Sequence, residues 1–420
     1  MTLLRRLRSR DETSGPESCI ALDIGTEFVK VLVFEIEAPG RAIVRGVGRH
    51  RQGLAHMQSG TVTDISGVVE NCRVALGVAT EMAGFSPSRC VIGMAGELVK
   101  GFTTSHSQER RRPETPIGEA ELQRLIEGVE REALFEAERA ITWETGLPTV
   151  DVRLVHAAAT GASIDGYPVT NPVGFRGRHV RIGIFNAFAP LIHLGALQTV
   201  ASRLELELLS VVAEPYAVAR CVESEEIASS GALFIDIGGG TTDVALVRSG
   251  GIEGTKMFAL GGRAFTKSLA DRLEVPFARA EEMKIAYSRG EELPEREEVG
   301  RIIAEDVAVW QAGVELVLEE FGREGELPPR IELCGGGSHL PELRASLTDP
   351  ALSRDLPFLR PPSVATIAPA QVRGVTDATG ELVDQQDVTP MALAYQALEI
   401  AGEAGPLDSS LRRVLRQIRV

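Results

Sequence analysis

Residues 232–247 read ALFIDIGGGTTDVALV: an apolar run, an Asp, three glycines, two hydroxyl residues, a second Asp and another apolar run. Short apolar runs flanking glycines predict two strands joined by a tight turn. The pattern recurs near the start as IALDIGTEFVKVLVFE, residues 20–35. Glycine at such a turn lets backbone N–H groups approach phosphate oxygens with no Cβ in the way. Gly25, Thr26, Gly238, Gly239, Gly240, Thr241 and Thr242 are therefore candidate phosphate contacts. Asp23 and Asp236, one at each turn, are candidates to hold Mg²⁺ through water, because that ion sheds its waters reluctantly. On its own DIGT reads equally as an ordinary hairpin, whereas DIGGGTTD is specific.

A third element, RIELCGGGSHL at 330–340, is a strand running into three glycines and a serine. VVAEPYAVAR (211–220) resembles a helix linking two halves, and VTPMALAYQALEIAG (388–402) resembles a closing helix. In this order the segments resemble the actin-like ATPase fold, an α/β architecture of two RNase H-like halves around a nucleotide cleft. The resemblance implies ATP and Mg²⁺ as cofactors. It places Gly335, Gly336, Gly337 and Ser338 against adenosine and adds Gly261 and Gly262 to the cofactor-binding positions. Asp236 and Glu214 become the catalytic candidates, Glu214 as a water-positioning carboxylate. Glu214 reads equally as a helix N-terminal acid before Pro215. Glu281 and Lys284 share one helix face; the resemblance puts them at the ribose, and a plain surface ion pair is the alternative.

The chain has 420 residues, 44% apolar and 25% charged, enough for two or more cores. A net charge of −15 argues against a nucleic-acid partner. Five scattered cysteines form no CxxC or Cys/His cluster, so neither a disulfide framework nor zinc is indicated, and a reducing cytoplasm fits. The start lacks the apolar region of a signal peptide, and no run of about 18 apolar residues is present to span a membrane.

Residues 1–18 read as a basic segment and linker. Residues 19–94 and 179–220 are assigned to the first half, 221–262 and 330–402 to the second. Between them lie an inserted α+β subdomain at 95–178 and a helical subdomain at 263–329. Helices are expected at about 65–84, 118–137 and 190–204, with one long helix ending at Phe321. Trp143 and Trp310 read as core residues rather than ligand platforms.

GVGRHRQGLAHMQSGTVTDISGVV (46–69) and GYPVTNPVGFRGRHVRIGIF (166–185), with the position of the insertion, resemble the bacterial cell-division protein FtsA family across about 20–405. The resemblance implies a filament-forming divisome protein at the septum. It would tether a tubulin-like ring protein to the inner face of the cell membrane. The partner would bind near 265–325, and the insertion would contact the next subunit. Three departures stand out: Glu27 inside the first phosphate loop, Ala397 where the closing helix usually has Gly, and a short linker at 402–410. Glu27 would repel phosphate unless Mg²⁺ lies between them, so ATPase activity is expected to be slow at most. DIGTEFVKVLVF resembles the PilM family of pilus-assembly adaptors about as well. A small-molecule kinase on this fold lacks a convincing base apart from Glu214.

The end, 403–420, reads as a linker and an amphipathic helix. Leu411, Val414, Leu415 and Ile418 follow helical spacing, with Arg412, Arg413, Arg416 and Arg419 on the other faces. That pattern suits an interfacial helix on an anionic membrane. Its alternative is a basic terminal helix docked on the acidic body. Leu3, Leu4 and Leu7 give the N-terminal segment a shorter version of the pattern.

Overall fold

The computed structural model describes residues 17–147, 150–248, 250–402, 407–411 and 413. The first apolar run forms β1 (Glu17–Ile24), which turns at Gly25 into antiparallel β2 (Phe28–Ala38) and then β3 (Arg41–Arg51). Short strands β4 (Met57–Gln58) and β5 (Thr61–Val62) pair with each other. Helix α1 (Ile65–Ala83) starts at Asp64, whose carboxylate accepts the Ser66 and Gly67 N–H groups. A cap of this kind contributes about 1 kcal/mol. The α1 stripe Val68, Val69, Cys72, Ala75 and Ala79 is buried, as its spacing predicts. Strand β6 (Arg89–Met94) pairs parallel with β1.

The insertion contributes β7 (Lys100–Glu109), α2 (Glu119–Thr145), β8 (Val152–Ile164) and β9 (Tyr167–Val169). Helix α2 buries Leu122, Leu125, Ile126, Val129, Ala133 and Ala137. Strand β10 (His179–Pro190) lies between β7 and β8, antiparallel to both. It belongs to the inserted sheet, not to the first half where its position in the chain put it. Then come α3 (Leu191–Arg203), β11 (Glu207–Ala213), parallel to β6, and α4 (Glu214–Cys221).

After α5 (Glu225–Ser230), the longer glycine motif forms β12 (Ala232–Ile237) and β13 (Thr242–Arg248), followed by β14 (Gly251–Phe258). The helical region is α6 (Gly262–Arg272), α7 (Phe277–Ser288) and α8 (Arg296–Gly322). Strand β15 (Arg330–Cys334) enters the third glycine turn, followed by α9 (Pro341–Leu347), α10 (Leu352–Asp355), β16 (Ser363–Thr366), β17 (Val375–Asp377) and α11 (Val388–Ala401).

Two sheets carry one topology twice. The first runs β11-β6-β1-β2-β3-β17; the second begins β16-β15-β12-β13-β14. In each, three antiparallel strands are followed by two parallel ones on the far side of the first strand. These are the two halves expected of the actin-like fold. The second sheet continues through β7-β10-β8-β9, so the insertion is hydrogen-bonded to the second half. Two further segments cross over. Strand β17 pairs with β3, and α11 buries Val388, Met391 and Leu393 in the first half's core. The range 330–402 therefore serves both halves. Trp310 is fully buried as expected, but Trp143 is 88% exposed, two residues off the buried stripe of α2.

Candidate functional site

A cavity of about 370 Å³ lies between the halves, lined by both glycine loops, α6, α7 and the third glycine turn. The β1–β2 register sets Asp23 directly opposite Lys30. The Lys30 ammonium donates to Asp23 Oδ2 at 2.9 Å. Burial opposes that charge, but Asp23 more than offsets it, and the Lys30 pKa is raised. Across the cleft Asp236, at the end of β12, accepts from the Thr389 hydroxyl at 2.6 Å. Asp243 accepts from Thr241 Oγ1 at 3.0 Å, and its other oxygen is buried with no partner. Glu214 enters from the first turn of α4, beside Pro215. It fits because residue 93 is Gly: a Cβ there would lie 2.4 Å from Glu214 Oε1. Gly335 has φ +80°, and a Cβ on it would lie 2.1 Å from Asp236 Oδ1.

Burial, and then the carboxylates of Asp23, Asp243 and Asp236, push Glu214 well above the ordinary carboxylate range. Burial and Asp236 do the same to Asp243, and burial raises Asp236 despite its Thr389 bond. Four carboxylates converge here around one buried ammonium. Among the described residues no three of these side chains stand close enough to ligate a metal directly, so a divalent cation here would keep its waters between itself and the carboxylates. The glycine loops beside it offer backbone N–H groups to an anion.

The expected residues divide accordingly. Asp23, Gly25, Thr26, Gly238, Gly239, Thr241, Gly262, Glu281, Lys284, Gly335, Gly336 and Gly337 line the cavity with Glu214 and Asp236. Glu281 and Lys284 do pair, at 2.8 Å, but half-hidden in the cleft wall rather than on an open surface. Lys284 also donates to Gly262 O and Thr266 Oγ1. Four expected contacts lie outside the lining. Thr242 is fully buried, donating to Leu260 O and accepting from the Trp310 indole. Gly240 and Gly261 serve close packing, since a Cβ would lie 2.6 Å from Thr26 Oγ1 and from Gly238 O respectively. The Ser338 hydroxyl donates to Gly335 O at 2.7 Å.

Glu27 is not the bare charge expected of it. Its carboxylate is bonded by Arg263 and lies 3.6 Å from Arg51. Sequence reasoning also missed Lys30, Asp243, Thr389, Arg49 and the pair His339–Asp384, all at the cavity. The hydrogen bond from His339, at 2.9 Å, holds Asp384 down at about 2 and raises His339. The available signal for Lys30 was the hairpin register, which with a turn at Gly25 sets residue 30 of β2 opposite Asp23 of β1.

At the other end, residues 407–411 are helical and dock on the inserted subdomain. Leu407 and Leu411 are buried with Ile117, Leu122 and Ile126, and Asp408 accepts from Ala159 N. Arg413 pairs with Glu119 at 2.7 Å. Leu411, expected on the lipid-facing stripe, is thus turned into protein. Arg412, Val414, Leu415, Arg416, Ile418 and Arg419 lie outside the described residues. Among the described residues no helix is long and apolar enough to cross a membrane.

The sequence profile of the family "Cell division protein FtsA" matches residues 233–375, from the second phosphate loop through the helical region and third glycine turn. The chain is 28% identical to the cell division protein FtsA of Pseudomonas aeruginosa over 76% of this chain and 78% of that one. It is 25% identical to that of Bacillus subtilis over 86% and 82%. Among solved structures, the PilM-PilN type IV pilus biogenesis complex superposes with a TM-score of 0.63 at 17% identity, covering 92% of this chain and all of that one, a likeness of fold. With paired glycine loops on a duplicated sheet and a subdomain inserted between them, the chain is similar in sequence to the FtsA family of cell-division proteins.

Proposed function

We propose that this chain is an ATP-binding cell-division protein that polymerises and tethers a tubulin-like ring partner to the inner face of the membrane. The observation that carries nucleotide binding is the convergence of two phosphate loops and four carboxylates on one cavity between the halves. Asp23 and Asp236 would hold Mg²⁺ through water; bound there, the ion would neutralise phosphate charge. Backbone N–H groups of the two loops would receive the phosphates, with Lys30 anchoring Asp23. Glu214, lining the same cavity, would orient a water. Burial, and then the neighbouring carboxylates, raise its pKa.

Equilibrium dialysis with ATP tests the site. Asp236→Ala should lose binding, and so should Gly239→Val, because even a bare Cβ at 239 lies 2.6 Å from Glu27 Cγ. Undiminished binding in both variants would overturn the assignment. The inserted subdomain is the candidate contact for head-to-tail assembly, a heterologous contact that builds open filaments. Removing it should abolish filaments in electron micrographs while ATP is still bound; unchanged filaments would refute that role. Membrane attachment is tested by flotation with anionic and neutral vesicles. Intact protein should float with anionic lipid, and protein lacking 411–420 should not. No flotation by the intact chain would favour a pilus-type adaptor.

A further inference from the structure

The first phosphate loop carries an acid, Glu27, and the second half answers it with Arg263. Arg263 stands in the first turn of α6, whose start is bonded to the second phosphate loop: Gly262 N donates to Gly238 O and Arg263 N to Gly239 O. All its side-chain bonds reach into the first half. Besides Glu27, the guanidinium donates to Thr26 O at 2.9 Å, Met57 O at 3.2 Å and Leu54 O at 3.3 Å. Both side chains are largely sheltered, at 18% and 16% exposure. Arg51 closes the acid's other side. One residue thus joins the first phosphate loop and the β4 segment through its guanidinium to the second phosphate loop through its backbone N–H, at the edge of the cavity.

We propose that the Glu27–Arg263 pair is a clamp across the cleft that holds the two phosphate loops at closed spacing and sets the rate at which nucleotide leaves. The inference rests on the nucleotide reading above. Any ligand held between the loops departs when they separate, and separation must break the bonds of Arg263. Glu27 gives that guanidinium a charged partner where a hydroxyl would give a neutral one, and charge-assisted bonds are the stronger. The acid in the loop thereby acts as a closing device rather than a phosphate repellent.

The test uses the full chain, with Mg²⁺ and a fluorescent ADP analogue chased by unlabelled ADP in stopped flow. Arg263→Ala and Glu27→Gln should each release the analogue about tenfold faster, the size of one charge-assisted hydrogen bond. The double variant should be no faster than Arg263→Ala, because both changes break one link. Arg263→Lys, which keeps the charge but not the fork, should fall between. Release unchanged in both single variants, or strictly multiplicative in the double, would overturn the clamp. Amide exchange of nucleotide-free protein gives a second readout. Residues 24–28 and 54–58 should exchange faster in Arg263→Ala, and equal exchange would overturn the proposal. If the intact chain binds no analogue, the nucleotide reading fails, and amide exchange still decides whether the clamp exists.

Discussion

Lys30→Met isolates the balance of charge in the cleft. The ammonium and Asp23 Oδ2 are 2.9 Å apart, with side-chain exposures of 15% and 4%. Solvent screening is therefore weak on both sides. Removing one partner of a buried pair leaves the other charge uncompensated, which costs about 3–5 kcal/mol. Met keeps most of the aliphatic stem, so packing loss adds little. At about 2–4 °C per kcal/mol for a medium-sized unit, the melting transition should fall by roughly 10 °C. Pairing raises the Lys30 pKa above its ordinary value, so its stabilisation is fully present below that value and is lost only as pH rises through the folded one. The deficit should accordingly be constant from about pH 6 to 9. Asp23→Leu in the Lys30→Met background removes the stranded charge and should recover most of the loss, without restoring ATP binding. Scanning calorimetry and urea unfolding read the stability, dialysis the binding. A single variant within about 1 kcal/mol of wild type, or a double variant no better than the single, would refute the reasoning.

Glu214→Gln should stabilise the nucleotide-free protein, and more so as pH rises. The folded pKa of Glu214 lies well above 4.5, so its contribution is intact below 4.5 and is lost as pH climbs through the folded value. Melting at pH 5 and pH 8 checks this; an equal effect at both would count against it. Iodide should quench Trp143 and spare Trp310, and Trp310→Ala should cost about 3–5 kcal/mol while Trp143→Ala stays within about 0.5. Leu411→Ala should loosen the docked stretch, giving faster protease cleavage near 402–413. Arg413→Ala should not, because an exposed pair contributes about 0–1 kcal/mol.

The strand–turn–strand units, the amphipathic helices and the core positions of α1, α2 and α8 were legible because periodicity and glycine placement are local signals. The reach of the second sheet was not. HVRIGIFNAFAP is apolar on both faces and would suit a central strand in either half. Only pairing with distant β7 and β8 assigns it. Arg263, following two glycines, has no pattern that announces four acceptors in the other half. Lys30 and Asp243 were readable in principle: each stands at a glycine turn, on the strand that leaves it. Trp143 departs from the core expectation because it stands two residues beyond Ile141, off the buried stripe of α2, and position on the helix rather than aromatic type decides its burial.

The insertion is tied to the body in two different ways. By chain it grows from β6 and returns to α3 and β11, in the first half; by hydrogen bonds it continues the second half's sheet. The backbone pairing at the seam is two register pairs, Gly254 with Phe102 and Thr255 with Gly101, in the middle of β14, joined by the Thr103 hydroxyl donating to Ile252 O. A rotation of one half against the other would load that seam like the short arm of a lever. The insertion's far edge, β9, three strands beyond β7 in that sheet, would swing by more than the seam itself moves. The arm that is the candidate contact for the neighbouring subunit would then act as a pointer, turning small movements at the phosphate loops into displacements another molecule can feel.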